Sequence, residues 1–157
     1  MGNEAAQSSF VYVTFIRTTA EKLWSALTTA EFMKEYWFGM QIPTEWKTGA
    51  EWKMVFPDGR VADTGEILEL DPPRRIRLKW RNEFRPELKA EGFTLCTIEI
   101  EPYGHAVRLS ITHTIERADS KFIQAVSGGW PMILSNLKSL LETGQVALTE
   151  ADHTHAR

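Results

Sequence analysis

Few residues in this chain have the type and placement for chemistry, and His113 is the most informative of them. In the run Val107, Leu109, Ile111, His113, Ile115, alternate positions are apolar except at the histidine, so a strand there carries an imidazole on its dry face. Two readings follow. The ring is a core group bonded to backbone or a neighbouring hydroxyl, or it is a donor or general acid/base that orients a polar group on an apolar molecule. Glu69 has similar potential if it faces inward beside Ile67, although Leu68 and Leu70 claim the other face. An inward carboxylate needs a partner such as an arginine, because an unpaired buried charge is costly.

Other chemistries are not encoded. No nucleophile elbow, glycine-rich phosphate loop, paired-carboxylate motif or metal-ligand cluster is present, so neither a metal nor a cofactor is expected. Cys96, the single cysteine, lies in an apolar strand pattern and reads as a small buried hydrophobe. His153 and His155 fall in a polar terminal stretch and read as incidental. What remains is aromatic load: Trp24, Trp37, Trp46, Trp52, Trp80 and Trp130, with eight Phe and three Tyr.

These residues are positioned by a β-rich chain with helices near both ends. A strand at Phe10 to Arg17 places Val11, Val13 and Phe15 on one face. Thr18 with Glu21, and Thr28 with Glu31, read as capping boxes that open two short helices, and Gly39 closes the pair. A meander follows: Glu51 to Phe56, a Pro57-Asp58-Gly59 turn, Val61 to Leu70, Asp71-Pro72-Pro73, then Arg75 to Arg81. In the last of these Ile76, Leu78 and Trp80 alternate with Arg75, Arg77, Lys79 and Arg81, giving one dry face and one basic, wet face. Residues 82–92 read as a loop, and a final hairpin pairs Phe93–Glu101 with Ala106–Glu116. From Asp119, the expected N-cap, to Gly144 runs one long amphipathic helix, with Gly128, Gly129 and Pro131 interrupting its first third. Runs of strands with segregated helices define an α+β domain, spanning residues 10–144 between flexible ends at 1–9 and 145–157.

Composition bounds the partners. A net charge of −3 without any basic block argues against nucleic acid. No apolar run approaches the ~18 residues of a membrane span, and Met1 to Ser9 lacks a signal-peptide core. A cytoplasmic protein, monomeric or homodimeric, is expected.

Four segments resemble a known family. They are Thr19 to Thr28, Gly65 to Ile76, Leu78-Lys79-Trp80, and Gly129-Trp130 with Leu134, Leu137-Lys138 and Leu141 to Gly144. In this order they are similar to the helix-grip fold of the START-like (SRPBCC) superfamily, and most to the subfamily of the C-terminal domain of the activator of the heat-shock chaperone ATPase. The resemblance implies a curved antiparallel sheet wrapped around the terminal helix, with a space between them that either holds a ligand or is filled by aromatics. Residues expected at its walls are Trp37, Phe56, Leu78, Trp80, Phe93, Ile111, His113 and Trp130. The leading expectation is a cofactor-free protein that binds an apolar or aromatic small molecule. A second is a cyclase- or dehydratase-type enzyme with His113 as acid/base, assisted by Glu69 or Tyr36. A third is a module that docks on a protein partner through its charged sheet face.

Overall fold

Alternation of wet and dry residues along each strand sets the architecture. The computed structural model describes residues 6–149. In chain order it contains β1 (Ser8–Ile16), α1 (Ala20–Thr28), α2 (Ala30–Tyr36), β2 (Glu51–Val55), β3 (Val61–Asp71), β4 (Arg75–Asn82), α3 (Pro86–Lys89), β5 (Thr94–Tyr103), β6 (Ala106–Ile115) and α4 (Lys121–Thr143). The strands form one antiparallel sheet in the order β1-β6-β5-β4-β3-β2. The sheet curves around α4, which is the α+β, helix-grip arrangement. The inward residues of β4 and β6, His113 among them, are buried, and Phe122, Trp130, Leu134 and Leu137 of α4 pack onto them. On β1 the apolar residues Val11, Val13 and Phe15 do share a face, but it is the exposed outer one.

Local details depart from the sequence reading where short-range patterns compete. Helix α1 is capped by Thr19, not Thr18: its Oγ1 accepts from Lys22 N at 3.1 Å. The N-cap of α2 is Thr29, not Thr28, and makes no side-chain cap; the Thr28 hydroxyl donates to Trp24 O. Residues 82–92 are not all loop but contain α3, which opens on Pro86. Helix α4 is capped by Ser120, not Asp119, whose φ of 53° lies outside the helix. Glu91 completes that end. Its carboxylate accepts from Ser120 Oγ at 2.6 Å and from Lys121 N at 2.8 Å, a favourable place for negative charge.

Gly128, Gly129 and Pro131 do not break α4, which runs unbroken through all three. Burial of Trp130 and its neighbours outweighs the weak local propensity. A bulge in β3, where the register shifts between Ile67 and Glu69, leaves Leu68 unpaired and lets both Ile67 and Leu70 face inward. Beyond α4, Leu148 is tied back, donating to Asn136 Oδ1 at 2.7 Å and accepting from Asn136 Nδ2 at 3.1 Å. The N-terminal end likewise contributes Ser8 and Ser9 to β1. Residues 1–5 and 150–157, with His153 and His155, lie outside the described residues.

Gly65 is a point of close approach within the sheet. A Cβ there would lie 1.6 Å from Lys79 O, and 2.7 Å from Trp52 Nε1. Trp52 crosses the glycine to donate to Lys79 O at 3.1 Å, and its ring meets Trp80 edge-on at 4.8 Å. Only a residue without a side chain permits that crossing. Gly65→Ala is therefore expected to cost on the order of 3 kcal/mol, the upper range for overpacking. Urea unfolding checks this, and an unchanged midpoint would show that the Trp52 crossing is dispensable.

Candidate functional site

Three indoles divide the space between sheet and helix. Trp37 follows α2, Trp80 lies on β4 and Trp130 on α4, with ring centroids 6.3 Å (Trp37–Trp80), 5.2 Å (Trp37–Trp130) and 5.8 Å (Trp80–Trp130) apart. Behind them, among Tyr36, Leu78, Ile98 and Leu134, only about 20 Å³ is left, so that part of the interior is filled. In front of them a cavity of about 190 Å³ opens between β2–β4, the α3 segment and the first half of α4. Met40, Met54, Phe56, Phe84, Leu88, Phe122, Val126 and Gly129 join the indoles in its wall, and Asp63, Asn82 and Arg85 are its polar members.

His113 lies beneath this cavity, outside its wall, and its hydrogen bonds fix its state. Trp130 Nε1 can only donate, and it lies 3.3 Å from His113 Nδ1, so Nδ1 accepts. Thr94 Oγ1 is 2.8 Å from Nε2 and gives its own proton to Trp80 O at 2.9 Å, so Nε2 carries the hydrogen. Burial pushes the imidazole down to about 3, and the ring is neutral. The chain ends on a backbone carbonyl, and neither ring nitrogen is left free for a substrate.

Asp63 is the acidic group in the cavity wall. Trp80 Nε1 donates to its Oδ2 at 2.8 Å, and Asn82 is its cross-strand partner. Burial raises the carboxyl to about 7; the Trp80 hydrogen bond works against the shift and the nearby Glu83 carboxylate adds to it. Glu83 itself goes the other way: burial opposes its charge, but hydrogen bonds from Arg81, Thr64 and Lys89 hold it down at about 2.

The residues singled out from the sequence are distributed as follows. Trp37, Phe56, Trp80 and Trp130 line the open cavity. Leu78 and Tyr36 border the small gap behind it, where the Tyr36 hydroxyl donates to Ala26 O and burial raises its pKa. Ile111 is fully buried and lines neither space. Glu69 points outward, 3.7 Å from Arg75 and 3.9 Å from Arg77, because the bulge at Leu68 turns it to the wet face. Phe93 is also on that face, under Lys79 Nζ at 4.8 Å and Arg81 Cζ at 4.5 Å. Sequence reasoning missed Asp63, Asn82 and Gly129. Asp63 had a signal, since it shares strand parity with the inward Ile67.

A sheet wrapped around a terminal helix, with a cavity between, defines a helix-grip protein of the START-like class. Within that class the chain belongs to the family described as Activator of Hsp90 ATPase homolog 1-like protein, whose family model matches residues 17–142. No curated protein matches it significantly. Solved structures do. The Aha1 dimer from Colwellia psychrerythraea superposes with a TM-score of 0.71 at 20% identity, covering 87% of this chain and 98% of that one. PFC0360w, an HSP90 activator from Plasmodium falciparum, gives 0.69 at 21%, covering 85% and 95%. DynU16, a putative protein in the dynemicin biosynthetic locus, gives 0.71 at 16%, covering 90% of this chain and 50% of that one. At such identities the likeness is one of fold.

The two buried titratable groups act on stability with opposite signs. Asp63, raised when folded, favours the fold below its ordinary 3.8 and loses that contribution as pH rises through about 7. His113, depressed when folded, favours the fold above its ordinary 6.5 and loses that contribution as pH falls toward about 3. Between these limits they oppose each other, so comparison with a variant separates them. Asp63→Asn is expected to match the wild type near pH 4 and to exceed it by on the order of a few kcal/mol at about pH 8. Urea unfolding at the two pH values is the check; a pH-independent difference would contradict the placement of Asp63.

Proposed function

We propose that the protein binds a small, largely aromatic molecule in the open cavity between β2–β4 and the first half of α4. The observation that carries this reading is Gly129. It lies within a helix, lines the cavity, and a Cβ built on it meets nothing within 4 Å. Alanine there would raise helix propensity by about 1 kcal/mol. No neighbour forbids that methyl group, so what the glycine preserves is space. The void has its own cost. At about 24 cal/mol per Å³, a dry cavity of 190 Å³ would lose on the order of 5 kcal/mol, a large part of a domain's net stability of about 5–15. Entry of solvent relieves some of this, and a ligand relieves more.

Size limits the ligand. An engineered cavity of about 150 Å³ accepts benzene, so about 190 Å³ suits one ring with a short substituent. No cofactor enters this reading. The cyclase alternative loses support, because His113 has both nitrogens engaged and Glu69 is on the other face of the sheet. The occurrence of the same fold in a protein of a biosynthetic locus supports a small-molecule role by analogy only.

The docking reading is favoured by one observation. Val11 and Tyr103 are 59% and 60% exposed, and with Val13 and Phe15 they form an apolar strip on the outer face of the sheet. Stimulation of a purified Hsp90-type ATPase that disappears in a Val11→Asp, Phe15→Asp variant would establish that role.

For the cavity, Gly129→Leu is the direct test. It is expected to keep or raise stability and to weaken binding of toluene at least tenfold, read by quenching of tryptophan fluorescence. Absence of saturable quenching in the wild type by any single-ring aromatic probe would sink the reading.

A further inference from the structure

Two polar side chains in the cavity wall each have one atom anchored and one unclaimed. Asp63 and Asn82 face each other across β3 and β4 and are 8% and 6% exposed. Oδ2 of Asp63 is held by the Trp80 indole at 2.8 Å. Oδ1 of Asn82 is held by Arg85 N at 2.8 Å, which assigns the amide and leaves Nδ2 as the other atom. Neither Asp63 Oδ1 nor Asn82 Nδ2 has a hydrogen-bond partner among the described residues. Among the described residues no buried side-chain nitrogen or oxygen is sealed off unpaired, so both atoms are open to the cavity their residues line. The Arg85 guanidinium pairs with Glu87 instead, at 2.9 Å.

An acceptor therefore sits beside a donor at one end of an otherwise aromatic cavity. Resting on the small-molecule reading above, we propose that Asp63 and Asn82 select a neutral aromatic ligand whose substituent presents a donor and an acceptor side by side, as a carboxamide or lactam does. The ligand N–H donates to Asp63 Oδ1, and Asn82 Nδ2 donates to the ligand carbonyl. A purely apolar ligand leaves both protein groups without water or partner, and an ammonium group answers only the acceptor. Unpaired buried polar groups are penalised more heavily than a matched pair is rewarded, so this pair acts chiefly by rejecting ligands that lack the match.

The test compares probes of nearly equal size. Benzamide offers donor and acceptor, acetophenone the acceptor alone, and ethylbenzene neither. Titrations at about pH 8 keep Asp63 ionised, since its carboxyl titrates near 7. The wild type is expected to bind benzamide about tenfold more tightly than acetophenone, equivalent to about 1.4 kcal/mol. Asp63→Asn keeps the acceptor for Trp80 but turns a donor toward the cavity; Asn82→Asp keeps the acceptor for Arg85 N but turns an acceptor inward. Each single variant is expected to lose the benzamide preference. The double variant restores one donor and one acceptor in reversed order, and is expected to regain it. Ethylbenzene should still bind saturably in every variant, showing that the cavity is intact. If ethylbenzene binds but benzamide is not preferred, or if the preference survives Asp63→Asn or fails to return in the double variant, the inference is overturned while the cavity reading stands. If no probe binds, both fall.

Discussion

A single buried hydrogen-bond chain sets the geometry on which the rest of the interior depends. It runs from the Trp130 indole to His113, from His113 to Thr94, and from Thr94 to the backbone carbonyl of Trp80. Four elements are joined in this way: α4, β6, β5 and β4. Each bond contributes only about 1 kcal/mol net, but a buried donor or acceptor left unpaired costs about 1–3 kcal/mol. The chain therefore acts less as glue than as a specification of how α4 must sit on the sheet. It fixes the imidazole as a neutral donor–acceptor, and it holds Trp80 and Trp130 where, with Trp37, they separate the filled interior from the open cavity.

Two glycines shape what lies around those indoles, for different reasons. Gly65 is a necessity of packing, because Trp52 must cross it to reach Lys79 O. Gly129 is not, since a Cβ there would meet nothing within 4 Å. The first raises stability by allowing aromatic contact across the sheet; the second forgoes stability and keeps the cavity open. Asp63 belongs with the second, a carboxyl held in a place where burial resists its charge. Local departures from the most stable choice, gathered at one cavity, are the usual mark of a site under functional constraint.

Much of this was legible in the sequence, because strand parity is strict. The inward faces of β4, β5 and β6 follow from alternation, and so does the position of His113. Its role did not follow, because its partners Thr94 and Trp130 are 19 and 17 residues away in the chain and no local pattern brings them together. Glu69, whose face the alternation leaves open, is turned outward by a bulge, which adds one residue and inverts parity without any sequence mark as plain as a glycine. Phe93 is a different case: it shares parity with the outward Leu95 and not with the buried Cys96 and Ile98, so alternation already placed it outside. Helix starts were off by one residue because neighbouring hydroxyls at 18 and 19, or Asp119 and Ser120, compete for the same cap. The continuity of α4 was hidden because glycine and proline report local propensity, while burial of Trp130 is a tertiary term.

Under the proposed function, the cavity walled by Trp80, Asp63 and Gly129, and not the outer face, is where this protein meets its ligand. Chemical-shift mapping of the ¹⁵N-labelled protein during titration with a single-ring aromatic amide tests it most directly. Saturable shifts should fall on the Trp80 and Trp130 indole N–H groups and on the amides of Asp63, Asn82 and Gly129, with Val11, Val13 and Phe15 unmoved. Shifts gathered on β1, or none that saturate, would contradict the account.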